Sequence, residues 1–174
     1  QPSHQGAAAW VQRALPHVQS AFETVWLRGD SAFSLTQQFD GWDQDGVLFI
    51  FGYDAYANLI EQAEALPAEE WETLERPPNY EVKTKPRTKP ENVKEEIVQQ
   101  RGFEQIETVH EDVAAFPYQP TACKKAYRMI VLRKQLKISK GGEKLRDEIV
   151  YFFYSTNDWM APTRELMLFY DERG

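Results

Sequence analysis

Hydrophobic residues at the start of the chain recur at helical spacing and then give way to a short strand-like run. Between residues 6 and 22, apolar side chains lie three or four positions apart, which predicts a helix. Pro16 interrupts this pattern, so we expect either a kinked helix or two short helices. Residues 24–27 are β-prone and lead into Arg28-Gly29-Asp30, which predicts a buried strand with a carboxylate at its C-terminal end.

Helices and strands continue to alternate as far as residue 76. A helix capped by Ser31 is expected to run to about residue 43, and residues 54–66 form another helix that 68–75 extends. Between them, 46–52 is apolar at every position from Val47 to Phe51. Continuous apolarity indicates a strand that is buried on both faces, as in an α/β sheet.

The chain changes character at Pro77. Residues 77–91 hold four prolines and show no hydrophobic period, which predicts a linker. A short helix is expected at 91–100, and a final helix begins near Pro162, since proline is well tolerated in a first helical turn. The sequence between these helices is β-rich, with predicted strands at 103–110, 125–138 and 145–155 and a hairpin turn over Lys140-Gly141-Gly142-Glu143.

This order of elements predicts an α/β fold. Helices and strands over 1–76 form a core, 77–156 is a linker with a β-rich insertion, and 157–174 begins a last helix that belongs to the core.

Composition limits the classes of protein to which the chain belongs. It has 174 residues, of which 42% are hydrophobic and 27% charged, so it can bury a core. No apolar run reaches the roughly 20 residues of a membrane-spanning helix, and the first residues lack the pattern of a secretion signal. Cys123 is the only cysteine. We therefore expect a cytoplasmic protein without an internal disulfide or a cysteine-rich zinc site.

The net charge of −7 conceals an uneven distribution. Residues 1–80 carry 3 basic and 12 acidic side chains, whereas the basic segment, residues 124–146, carries 9 basic side chains against Glu143 alone. Such a segment can contact phosphates, but charge alone favours a solvated strand face with a basic linker. The candidate DNA contacts in the basic segment are Lys124, Lys125, Arg128, Arg133 and Lys134.

Asp30 is the best candidate for chemistry. Open α/β sheets place their sites at the carboxyl ends of strands, which is where Asp30 is expected. A carboxylate suits Mg²⁺, but a two-metal site needs more than one aspartate. The structural alternative is that Asp30 caps a helix or pairs with Arg28.

Several motifs, taken in order, resemble those of bacterial DDE insertion-sequence transposases. Arg28-Gly29-Asp30-Ser31-Ala32-Phe33, followed by a helix and the strand at 46–52, is similar to the region of the family's second catalytic aspartate. Tyr127-Arg128, Arg133-Lys134 and the stretch 151–157 are similar to the sequence before the family's last catalytic helix. The end of the chain, Phe169 to Gly174, is similar to the beginning of the signature Y-x-x-R-x-x-x-E.

The resemblance implies an RNase H-like fold with a β insertion, in an enzyme that cuts and joins DNA. In this family, two Asp and one Glu hold two divalent ions, usually Mg²⁺ with Mn²⁺ as a substitute, and a water or a 3′-hydroxyl attacks a phosphodiester in line. Asp30 corresponds to the second aspartate, a catalytic residue and metal ligand, and Tyr170 and Arg173 correspond to DNA-contacting residues of the signature. The implied partners are transposon ends, target DNA and a second copy of the intact protein, at the nucleoid.

Two parts of the family's pattern fall outside this sequence. The signature glutamate would stand at position 177, and the strand with the first aspartate should precede the opening helix. We therefore expect a piece of a transposase that is inactive by itself, whether a fragment of a longer protein, the product of a truncated gene or a nicked chain. The alternative is a non-catalytic α/β module that binds nucleic acid or another partner through the basic segment.

Overall fold

A computed structural model describes residues 6–76, 104–141 and 143–172. The predicted linker at 77–91, the predicted helix at 91–100, and Gly142 and Arg173 lie outside these described residues. The described residues belong to two compact units. The first unit draws on Gln1–Glu72, Val113–Leu132 and Tyr151–Gly174, and the second on Thr73–Asp112 and Arg133–Val150.

The fold is mixed α/β, as predicted. The strands are β1 (Trp26–Gly29), β2 (Leu48–Tyr53), β3 (Glu72–Thr73), β4 (Glu104–Tyr118), β5 (Tyr127–Lys140) and β6 (Glu143–Thr156). Within the described residues they form one sheet in the order β1-β2-β6-β5-β4-β3. β1 and β2 are parallel, with Gly29 opposite Phe51, whereas β6 runs antiparallel to β2, with Tyr154 opposite Gly52.

Four α-helices occur in the described part of the chain: α1 (Ala7–Gln19), α2 (Thr36–Gln44), α3 (Ala57–Glu64) and α4 (Thr163–Asp171). α1 continues through Pro16 as one helix, which excludes two short helices and leaves the kinked helix of the two expected alternatives. Proline removes only its own N–H from the helical ladder, and the Pro16 carbonyl still accepts a hydrogen bond from the Ser20 N–H at 3.1 Å. α4 begins directly after Pro162, as predicted.

Side chains alternate across β1 and β2 and so place the helices of the first unit on two faces. Phe49 and Phe51 point to the face covered by α2, where the ring of Phe39 lies 4.4 Å from that of Phe49. The same face receives Trp42 of α2 and Leu15 of α1, and all of these side chains are buried. Each large apolar side chain that is buried in this way contributes about 1.5–3 kcal/mol to the free energy of unfolding.

Several element boundaries differ from the predictions. Residues 68–75 do not extend α3; they form a 3₁₀ turn at Ala68–Glu70 and the short strand β3, because Pro67 disfavours a helical backbone in the residue before it. β4 continues to Tyr118 instead of ending near residue 110, since Val113, Ala114 and Phe116 are buried strand residues. β1 lies at the end of the sheet and is half-buried over Trp26–Arg28, not fully buried as expected.

Two acidic residues of β4 organise the ion pairs of the second unit. Glu111 accepts from Arg76 and lies 2.7 Å from the Lys134 ammonium. Burial raises the pKa of Glu111, but the hydrogen bonds from these two cations outweigh it and leave the pKa below its ordinary value. Asp112 is buried and lies 2.9 Å from Arg133 and 2.7 Å from His110. Glu111 and Asp112 of β4 are therefore paired with cations from β5 and from the segment after β3.

Candidate functional site

Asp30 follows β1 directly, as predicted, and caps the next turn. Its Oδ1 accepts a hydrogen bond from the Ala32 N–H at 3.1 Å, at the start of a 3₁₀ turn over Ser31–Phe33. The predicted capping alternative for Asp30 is therefore confirmed, whereas the expected cap, Ser31, lies within the turn. The carboxylate is exposed, and its Oδ2 makes no hydrogen bond within the described residues.

Helix α4 lies on the same face of β1 as Asp30. Trp26, Arg28 and Asp30 occupy alternate positions of an extended backbone and so share one face. The ring of Trp26 meets the ring of Phe169 at 5.1 Å, and the Arg28 guanidinium donates to the Phe169 carbonyl. The strand that presents Asp30 is therefore in direct contact with the C-terminal half of α4.

Gly52 allows the close approach of the segments at this end of the sheet. A Cβ atom at position 52 would lie 2.9 Å from the Ser31 backbone nitrogen and 3.2 Å from the Tyr170 hydroxyl. Real Cβ contacts at the first of these distances essentially do not occur, so a larger residue would push the segments apart. Tyr170 is buried and packs 4.6 Å from the ring of Tyr154 on β6.

A cleft of about 530 Å³ opens beside this contact. Ser31, Gly52, Asp54, Tyr170 and Asp171 line it, together with an aromatic wall of Tyr53, Tyr151, Phe152, Phe153 and Tyr154. Burial is the main reason that the pKa of Tyr53 lies well above its ordinary value, so its hydroxyl is neutral at physiological pH. The cleft therefore combines aromatic surface with two carboxylates, Asp54 and Asp171.

Of the predicted Mg²⁺ site, the part of the chain that the structure describes contains Asp30. No group of three or more His, Cys, Asp or Glu side chains in the described residues is arranged to hold a metal ion. An exposed carboxylate with one oxygen held by a backbone N–H is suited to contribute one ligand to Mg²⁺ or Mn²⁺. The metal-ligand role of Asp30 remains a prediction.

Most of the predicted DNA contacts of the first unit are engaged within the protein. The Lys125 ammonium pairs with Asp43, whereas the Lys124 bond to Asp40 Oδ2 at 2.8 Å comes from its backbone N–H and does not involve its ammonium. Arg128 donates to backbone carbonyls before α4. Tyr170 is buried. Phosphate contact by Lys125 or Arg128 would require these bonds to be shared or broken.

The other predicted DNA contacts lie in the second unit or outside the described residues. Arg133 and Lys134 pair with Asp112 and Glu111 as described above. Arg173 lies outside the described residues.

Sequence patterns missed the arginine that touches α4 from β1. The sequence suggests Arg28 as a partner for Asp30, whereas in the structure its guanidinium lies 4.6 Å from the centre of the Phe169 ring. Residues two positions apart on a strand lie on the same face of the sheet, so the sequence does place the Arg28 side chain on the face of Asp30. The partner, 141 residues further along the chain, gave no such signal.

Comparison with known protein families, curated proteins and solved structures finds no match to this chain. None of the helices in the described residues has both the length and the apolar character that crossing a bilayer requires. The functional argument below therefore starts from the residues and their geometry.

Proposed function

We propose that the chain is part of the catalytic domain of a DDE transposase, an enzyme that cleaves and transfers DNA strands by in-line attack on phosphodiesters. The carrying observation is that Asp30 stands at the carboxyl end of β1, which is paired in parallel with β2. Helix α4 packs on the face that carries Asp30. The motifs around Asp30 and on α4 that resemble the transposase family thus lie close together in space.

Asp30 would hold one divalent ion in this function. Mg²⁺ or Mn²⁺ would supply charge stabilisation for the attacking and leaving oxygens of the phosphodiester. The Ala32 N–H fixes the orientation of this exposed carboxylate through Oδ1, and Oδ2 makes no hydrogen bond within the described residues. The residues of α4, including Tyr170, form the adjacent wall of the cleft.

A two-metal centre needs several carboxylates, and the family resemblance places the remaining two beyond the sequence given. The reading frame that encodes the chain provides the first test. We expect a glutamate four residues after Arg173 and an aspartate in a strand upstream of Gln1, and the absence of both would contradict the proposal.

The second test is a strand-transfer assay on the product of that reading frame. Asp30→Asn removes a charge but keeps the cap, so it should abolish strand transfer while leaving the free energy of unfolding within a few tenths of a kcal/mol. Asp45→Asn is the matched control, because Asp45 is exposed and precedes the opposite end of β2. Retained activity in Asp30→Asn would refute the metal-ligand role.

Salt dependence of DNA affinity tests the contribution of the basic segment. Each phosphate contact adds about 0.9 to the slope of log affinity against log salt on duplex DNA. A slope near zero for this chain would exclude meaningful phosphate contacts, both for a transposase fragment and for a non-catalytic nucleic-acid-binding module. A clear slope together with a reading frame that lacks the two carboxylates would favour the module.

A further inference from the structure

Helix α4 is held at its C-terminal end by an arginine from β1. The Arg28 Nη1 donates to the carbonyl of Phe169, one of the last carbonyls of the helix, which lack partners inside the helix. The last turn of α4 contains no basic residue of its own, so Arg28 brings the positive charge that the helix dipole favours there. Its guanidinium also covers the ring of Phe169, with 4.6 Å to the centroid.

The N-terminal end of the same helix is held by an arginine from β5. Arg128 Nη1 donates to the carbonyls of Asp158 at 3.2 Å and Ala161 at 2.7 Å, and its Nη2 donates to Thr163 Oγ1 at 2.7 Å. These acceptors belong to the segment that leads into α4 and to its first residue. Burial lowers the pKa of Arg128, while the charges of Asp158 and Glu72 raise it and support the ionised form. The three hydrogen bonds hold this half-buried guanidinium in one orientation, and they connect β5 to the beginning of α4.

These two contacts determine where the residues of α4 lie along the sheet. A helix rises about 1.5 Å per residue, so a slip by one residue would move Tyr170 away from Gly52 and the Asp30–Ser31 segment. Misplacement of a catalytic group by about 1 Å can cost a hundredfold in rate. We propose that Arg28 and Arg128 are positioning residues that lock α4 at both ends beside Asp30. The catalytic consequence rests on the proposed function, whereas the locking itself does not.

This assignment gives Arg128 a different role from the one its charge suggested. In the basic segment it was expected to contact DNA phosphate, but its donors face carbonyl and hydroxyl oxygens of the protein itself. A planar guanidinium with donors at fixed angles suits three such acceptors better than the point charge of lysine. Loss of Arg128 should therefore free α4 without weakening DNA binding.

Amide hydrogen exchange on this chain measures the locking directly. The variants are Arg28→Met and Arg128→Met, with Arg164→Met as the control, because Arg164 is an exposed arginine of α4 itself. We expect the amides of α4 to exchange about tenfold faster in the first two variants, with α1 and α3 unchanged and the control like the wild type. If Arg128→Met does not fold, Arg128→Lys replaces it in the exchange experiment. Lysine keeps the positive charge but lacks the planar set of donors that the guanidinium presents.

The outcomes separate the positioning role from the proposed function. Unchanged exchange in α4, or an equal acceleration in α1 and α3, would overturn the locking of α4. A second readout is the salt slope for duplex DNA, which we expect to be the same in Arg128→Met, which removes the charge, and the wild type; a slope about one unit smaller would assign Arg128 to phosphate instead. If the wild type binds no DNA, the proposed function loses support, while the exchange experiment still decides whether α4 is locked.

Discussion

Replacement of Gly52 by alanine tests the close approach on which the candidate site depends. The added methyl group would lie 2.9 Å from the Ser31 nitrogen, 3.3 Å from the Asp30 carbonyl carbon and 3.2 Å from the Tyr170 hydroxyl. The first two atoms belong to the backbone and cannot move independently of β1 and the turn after it. The strain must therefore be relieved by displacing either that turn or helix α4.

The magnitude follows from two opposing effects. Overpacking at a tightly packed position typically costs about 1–3 kcal/mol. Against this, alanine restricts the unfolded chain and contributes about 0.4–1 kcal/mol of stability where the backbone accepts it. The backbone at position 52 lies outside the left-handed region, so only the contacts oppose the substitution. We expect Gly52→Ala to lower the free energy of unfolding by about 1–2 kcal/mol.

Gly41 provides a matched control for this experiment. It lies inside α2, and a Cβ there would meet no atom within 4 Å, so Gly41→Ala should raise stability by about 0.5–1 kcal/mol. Urea denaturation of both variants and the wild type measures the difference. If Gly52→Ala proved as stable as Gly41→Ala, the reasoning about the contact between the Asp30–Ser31 turn, β2 and α4 would be wrong.

Three polar or reactive side chains of the first unit give further predictions. Hydrogen bonds from the Lys124 backbone N–H and the Tyr127 hydroxyl lower the pKa of Asp40. The stability that the ionised Asp40 contributes is therefore fully present above the ordinary pKa of 3.8, and it is lost as the pH falls through the lower pKa of the folded state. Urea midpoints measured against pH should therefore fall less steeply below about pH 4 in Asp40→Asn, and identical curves would contradict this. Burial raises the pKa of Cys123 to about 11, so a thiol reagent at about pH 8 should label the native chain roughly a hundredfold more slowly than the urea-unfolded chain; equal rates would count against the burial. Asn157→Ala leaves the Phe49 N–H and the Val47 carbonyl without their partner and should cost about 1–3 kcal/mol by urea denaturation, whereas no loss would show that water replaces the amide.

Sequence patterns predicted those parts of the fold that depend on neighbouring residues. β2 was found because its apolar run is continuous, and the cap by Asp30 was foreseen because it joins residues two positions apart. The error over 68–75 has an equally local cause, since Pro67 was not weighed as a helix terminator. An interaction can be predicted from the sequence when both of its partners lie within a few residues of each other.

Long-range partners explain what the sequence did not show. Arg128 is one of nine cations in the basic segment and one of the five candidate DNA contacts that the sequence analysis names there. Its acceptors stand 30 to 35 residues later in the chain, and Arg28 finds its partner 141 residues away. Only the folding of α4 against the sheet brings these groups together. A cluster of like charges therefore identifies a potential contact surface only after the internal acceptors have been placed.

Asp30 combines a structural and a proposed catalytic role, and the two can be separated by substitution. The cap uses Oδ1, which both asparagine and serine side chains can replace as an acceptor for the Ala32 N–H. We therefore expect Asp30→Asn and Asp30→Ser to unfold in urea within a few tenths of a kcal/mol of the wild type, and Asp30→Ala to lose about 0.5–1 kcal/mol, the lower part of the range for a cap because the turn is short. A loss in Asp30→Asn as large as that in Asp30→Ala would show that stability depends on the negative charge and not on the cap. If instead stability follows the cap and strand transfer follows the charge, the carboxylate serves both roles through different oxygens.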